Sequence, residues 1–227
     1  MSGLSTAPAP AALPPHTGRS SFPGIRGRIR DAALRAWPAL AAYAVVRAVG
    51  IAVLALGAGG DDPRLGTLLA GSFDSKYFVY VAEHGYGTPM PGGCSVQGPL
   101  CNYAFFPLYP GLIRAGSAVL PLPTGAVAWG IAIVASLIAA WGVFAVADRV
   151  IGRRPAIIAV VLWGIAPHAA VESMAYTEPV FTAIAAWALY AVLDRRWLTA
   201  AALAVLAGLT RPPGAAVVAA VVLCALY

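Results

Sequence analysis

Charge is what this chain has least of: 11% of its 227 residues are Asp, Glu, Lys or Arg, where a soluble domain carries about 25%. Lysine is almost missing, Lys76 being the one example among fifteen basic residues. So strong a preference for arginine, beside so much alanine and glycine, is the mark of a GC-rich genome and carries no functional weight. Cysteine is scarce too, and three residues exclude a disulfide-built scaffold.

What fills the space is apolar. Hydrophobic residues make up 60% of the chain and the mean hydropathy is +0.78, which excludes a water-soluble globule and predicts an integral membrane protein. The formal charge of +6 invites a nucleic-acid reading. The basic residues, however, lie in short clusters between apolar runs, as in a bilayer protein, so no nucleic-acid partner is expected.

Residues 1–24 are rich in Pro, Ala, Ser and Gly and lack an apolar run of signal-peptide length, so they read as a disordered cytoplasmic tail ahead of a transmembrane domain at 25–227. Arg26, Arg28, Arg30 and Arg35 lead into an apolar run, Ala36 to Gly57, long enough to cross a bilayer core. Further spans are expected at Thr124–Ala147, Pro155–Val171, Glu178–Leu193, Trp197–Leu209 and Pro213–Tyr227, about six in all. Threading the chain through them puts ten arginines on the starting side and four basic residues on the other, with Arg47 inside the first span. By the positive-inside rule the N-terminus is cytoplasmic and the long 58–123 interval faces out. The expected fold is an all-α, polytopic transmembrane helix bundle whose outer loop carries interfacial helices. Phe105–Leu120 is apolar, but a crossing there would invert every later loop, so it is read as lying in the outer interface from Pro107 and Pro110 onward. The last span reaches Tyr227 without a polar flank, which reads as the front part of a longer protein.

The outer interval collects the chemistry. Phe73, Tyr77, Tyr80 and Val81 recur at i, i+4, i+7 and i+8, the stripe of an amphipathic helix on a membrane surface. Asp74 stands in its first turn, either as a helix cap or as a general base on a substrate hydroxyl; the two are compatible. Glu83-His84-Gly85 reads as the end of that helix, with Gly85 as C-cap. Adjacent helical residues diverge and no third ligand has a suitable spacing, so no metal is expected. Cys94 and Cys101 share one polar loop and are a candidate disulfide if it faces an oxidising side; Cys224 is an inert small hydrophobe. Arg211 is a basic residue on the outer side against the charge bias, either snorkelling or binding phosphate. Arg47, about mid-depth in its span, is either a structural tie or part of a lipid-phosphate pocket.

Five motifs occur in order: Phe73-Asp74-Ser75, Ala82-Glu83-His84-Gly85-Tyr86, Ala104-Phe105-Phe106-Pro107-Leu108-Tyr109-Pro110, Tyr176-Thr177-Glu178-Pro179 and Gly208-Leu209-Thr210-Arg211-Pro212. Together they resemble the PIG-V-type mannosyltransferases, relatives of the second mannosyltransferase of GPI-anchor assembly within the multispanning GT-C glycosyltransferases. The resemblance implies the N-terminal part of a GT-C-like bundle and Asp74 as catalytic base. It implies a polyprenyl-phosphate-mannose donor with no further cofactor, and a glycan or glycolipid acceptor. Arg211 and Arg47 would engage the lipid phosphate, while Glu83, His84, Tyr86 and Glu178 would line the acceptor or sugar pocket. The family usually has Trp before the Asp and an aromatic three residues after it; here Phe73 and Tyr77 replace or shift these. The expected setting is a plasma membrane, that of a bacterium. The absence of a glycine-rich phosphate loop on the inner side agrees with a donor that is not a nucleotide sugar. The alternatives are a non-catalytic multi-pass protein, such as a transporter or assembly partner, and an inactive fragment of the transferase.

Overall fold

The computed structural model describes residues 25–57, 64–90 and 101–227. The tail at 1–24 and Cys94 lie outside them, as does the side chain of Cys101, so the disulfide expectation falls outside the described residues. Those residues are all-helical, without a strand: α1 Ile25–Gly57, α2 Arg64–Ala70, α3 Ser75–His84, α4 Leu108–Val119, α5 Thr124–Ile151, α6 Arg153–Ile165, α7 Glu178–Leu193, α8 Trp197–Gly208 and α9 Gly214–Leu226, with 3-10 turns at Cys101–Ala104 and Pro167–Ser173. Two of these helices are long and apolar enough to cross a membrane, over Arg30–Leu56 and Thr124–Ile151. Helices α7, α8 and α9 are apolar but shorter.

The chain divides into residues 1–34 and a compact unit from Arg35 to Tyr227. Within the second unit, Arg35 near the start of its α1 segment forms a two-pronged pair with Asp148 near the end of α5, at 3.0 and 3.1 Å. With Tyr43 farther along α1 meeting Ser136 earlier in α5, the two helices run antiparallel. Ala36, Ala39 and Tyr43 of α1 are buried with Ala140 and Phe144 of α5 and Val160 of α6. A second core joins α3, α4, α5 and α7 through Phe78, Tyr109, Ile113, Ala128 and Val180. A third joins α7, α8 and α9 through Ala191, Ala200, Ala204 and Val221.

Small residues let these helices approach closely. At Gly142 of α5 an added Cβ would lie 2.8 Å from the Cβ of Ala186 and 3.2 Å from the Trp187 ring on α7. Neither neighbour can retreat without separating the helices. Gly142→Leu is therefore expected to destabilise the protein by about 1–3 kcal/mol, read as a lower midpoint in a thermal melt of the detergent-purified protein. An unchanged midpoint would mean that the α5–α7 contact is looser than this geometry.

Beyond shifts of a few residues at helix ends, three features differ from the sequence reading. The first helix starts at Ile25 and so takes in the arginine cluster instead of following it. The third span, expected to run from Pro155 to Val171, stops at Ile165. Pro167 drives the preceding Ala166 to ψ 148 and the chain continues as a 3-10 turn. The third difference is the buried face of α3, formed by Ser75, Phe78, Val81 and Ala82. Of the stripe expected at Phe73, Tyr77, Tyr80 and Val81, only Val81 is fully buried. Phe73 sits before the helix at φ 51, 67% exposed. Phe78 turns inward because Phe105 and Tyr109 meet its ring edge-on at 5.1 and 5.3 Å.

Candidate functional site

Helix α3 begins immediately after Asp74, which occupies the N-cap position with helical φ and ψ and no side-chain bond to the first turn. The capping role expected of the carboxylate is thus not taken up, and Asp74 is exposed. Its neighbour Ser75 instead bonds back to the carbonyl of Ser72. The backbone N–H of Asp74 donates to the hydroxyl of Tyr176 at 3.4 Å. That hydroxyl is raised above the usual tyrosine range, first by burial and then by the charges of Asp74 and Glu178. Tyr176 therefore stands between two carboxylates that are more than a hundred residues apart in the chain.

Glu178 opens α7 and pairs with Arg211, the guanidinium in the turn after α8, at 2.6 Å. Their side chains remain 31% and 32% exposed, so the pair is accessible. The turn is held in place by Leu108, whose N–H donates to the carbonyl of Leu209 at 3.0 Å, and by buried Thr210, whose hydroxyl donates to the carbonyl of Ala207 at 2.6 Å. Burial and the charge of Glu178 both raise the hydroxyl of Tyr109 on α4. Asp74, the Tyr176–Glu178 stretch and Arg211 are thus brought together from three separate segments.

An apolar cavity of about 710 Å³ runs between α4, α5, α7 and α8. Leu108, Val180 and Leu206, all within a few residues of the Arg211–Glu178 pair in sequence or through the Leu108–Leu209 bond, line it together with Gly130, Ile131 and Trp187. A second cleft of about 350 Å³ is lined by Tyr86, Tyr103, Phe105, Phe106 and Pro107. Tyr86 and Tyr103 stack at 5.7 Å, and Tyr86 donates to the carbonyl of Phe105 at 2.7 Å. Buried Asn102 fastens this cleft by accepting from Gly87 N–H at 3.2 Å and donating to the carbonyls of Gly85 and Thr88. Gly85 is the C-cap of α3 as expected, but at φ 79 and ψ −177 it adopts an extended conformation open to glycine in place of the left-handed helical one.

Glu83 and His84 are exposed at the C-terminal end of α3, away from its N-cap. His84 lies flat on Tyr80, with ring centres 4.2 Å apart. Among the described residues no group of three or more His, Cys, Asp or Glu side chains is arranged to hold a metal ion. The guanidinium of Arg47 is occupied by protein groups. It donates to the carbonyls of Gly164 and Ala169 and to Ser173 Oγ, the last at 3.3 Å, so its bonds are those of a tie between α1, α6 and the following 3-10 turn.

One residue absent from the sequence-based candidates stands out. Glu172, in the 3-10 turn, is 6% exposed and its Oε2 has no hydrogen-bond partner. Burial, reinforced by Glu178 and opposed by Arg47 and Arg211, pushes its carboxyl up to about 7. The sequence signal was there: a lone acid between Ala-Ala-Val and Ser-Met-Ala, with His168 four residues before it and the nearest arginines at Arg154 and Arg195. No family model, curated protein or solved structure matches this chain.

Proposed function

We propose that this protein is a multi-pass membrane glycosyltransferase that moves a sugar, mannose by resemblance to the PIG-V-type enzymes, from a polyprenyl-phosphate donor to an acceptor hydroxyl at the outer face. The observation that supports it best is the meeting of Asp74, Tyr176 and the Arg211–Glu178 pair beside an apolar cavity. A donor with a hydrocarbon tail and an anionic head needs both environments, joined. Exposed leucines, isoleucines and valines on α1, α5, α6, α8 and α9 supply an outer surface that lipid solvates.

In this reading the isoprenoid tail fills the cavity and Arg211 holds the phosphate, whose planar fork suits a phosphate head. Asp74 accepts the proton of the acceptor hydroxyl while its oxygen attacks the anomeric carbon. The sugar–phosphate bond breaks on the opposite side, with inversion, and the phosphate leaves with its charge stabilised by Arg211. The aromatic cleft at Tyr86 and Tyr103 presents flat faces to a pyranose ring. It is linked to the helix of Asp74 through Phe105, which packs on Tyr77 and Phe78 at 5.4 and 5.1 Å. Glu83 and His84, at the far end of α3, border the acceptor path.

The test is transfer of radiolabelled mannose from polyprenyl-phosphate-mannose into a lipid or glycan fraction by membranes containing the protein. Incorporation above membranes without it is expected; equal incorporation would remove the proposal. Orientation is tested separately. Lys76 is exposed beside Asp74, and a cysteine put there by Lys76→Cys, with Cys94 and Cys101 replaced, is expected to react with an impermeant thiol reagent in intact cells. Labelling only after lysis would turn the site to the cytoplasm.

A further inference from the structure

A buried carboxyl with an unpaired oxygen is expensive, and membrane proteins retain such groups where they serve a function. Glu172 is held in that position firmly. Arg47 pins its turn through Ala169 and Ser173, and the indole of Trp129 donates to the carbonyl of Ser173 at 2.9 Å. Among the described residues, the charged or titratable groups that act on it are Arg47 and Tyr43 from α1, Glu178 from α7 and Arg211 from the turn after α8. Asp74 acts on Tyr176.

Two guanidiniums, Arg47 and Arg211, favour the ionised form of Glu172, and one carboxylate, Glu178, opposes it. A monoanionic headgroup at Arg211 adds one negative charge beside these groups and cancels part of the attraction that favours ionisation of the buried Glu172. Glu178 has a guanidinium partner at 2.6 Å, whereas Glu172 has an oxygen with none. We propose that Glu172 is the proton-binding residue of the donor site, so that capture of an anionic phosphodiester headgroup at Arg211 takes up one proton from solvent onto the Glu172 carboxyl.

This inference rests on the reading of Arg211 as the headgroup site and adds to it a pH dependence. The neutral form of Glu172 is the one that the fold favours, so its ionisation penalty is absent below the ordinary value of 4.5 and complete above about 7. Headgroup binding is then strongest below about pH 7, where the proton is already in place. Above it, affinity falls by about tenfold per pH unit, as one-proton linkage requires.

The probe is farnesyl methyl phosphate, a phosphodiester whose own charge does not change in this range. Isothermal titration against the detergent-solubilised protein is run from pH 6 to 9 in two buffers of different ionisation enthalpy. The wild type is expected to bind at every pH, to take up close to one proton per probe at pH 8 and almost none at pH 6. Glu172→Gln, a neutral isostere of the protonated acid, is expected to bind with an affinity independent of pH. Binding by the wild type without proton uptake at pH 8, or an unaltered pH slope in the variant, overturns the assignment to Glu172. The wild-type proton count decides the matter if the variant fails to fold. No binding at any pH overturns the headgroup site itself, a result distinct from binding without proton uptake.

Discussion

Asp74→Asn is expected to reduce sugar transfer by about 10²–10⁴-fold, the range for loss of a positioned general base, while leaving the thermal midpoint where it was. The two readouts separate the roles open to this residue. A helix cap contributes about 0.5–2 kcal/mol, and its loss would appear in the melt. The side chain makes no cap bond and lies exposed at the start of α3, so the amide has no bond to break. The Tyr176 contact comes from the backbone N–H, which the substitution keeps. Transfer by the variant at the wild-type rate would remove Asp74 from the mechanism; a lowered midpoint with full activity would return it to the structural role.

Arg47→Leu is the second large effect, and it falls on stability. The substitution withdraws the donors from the carbonyls of Gly164 and Ala169 and from Ser173 Oγ. Each buried acceptor left unpaired costs about 1–3 kcal/mol, out of a total stability of about 5–15 kcal/mol. A loss of about 3 kcal/mol corresponds to a drop of about 6–12 °C in the midpoint for a chain of this size. Arg47→Lys, with a compact ammonium in place of the planar fork, is expected to recover part of it. If Arg47 instead served mainly to bind lipid phosphate, the empty protein would melt normally and only the prenyl phosphodiester would lose affinity. A thermal melt with and without farnesyl methyl phosphate decides between the two.

The helical class, the starts of α5, α7 and α8 and the apolar character of the chain follow from composition and from runs of Ala, Val, Leu and Ile, because a helix that meets apolar surroundings needs no long-range information to form. The same holds for the end of α3 at Gly85, where only a residue without Cβ adopts φ 79 with extended ψ. Boundaries slipped where one residue changes the outcome. Pro167 cuts an apolar run that hydropathy treats as continuous, and Phe73 leaves the stripe because the backbone turns left-handed ahead of Asp74.

By itself, then, the sequence determined what kind of element each segment becomes and which few polar residues an apolar chain would have to place. Which of those residues meet was decided only by tertiary packing. Asp74 and Tyr176 are 102 positions apart, Arg47 and Ser173 126, and no periodicity spans such distances. The pairing of Arg211 with Glu178 and the isolation of Glu172 depend on how α1, α5, α7 and α8 pack side by side. The physical reason is that helix formation is local, satisfied within a turn or two, whereas the cost of a buried charge is set by whatever the rest of the fold brings against it.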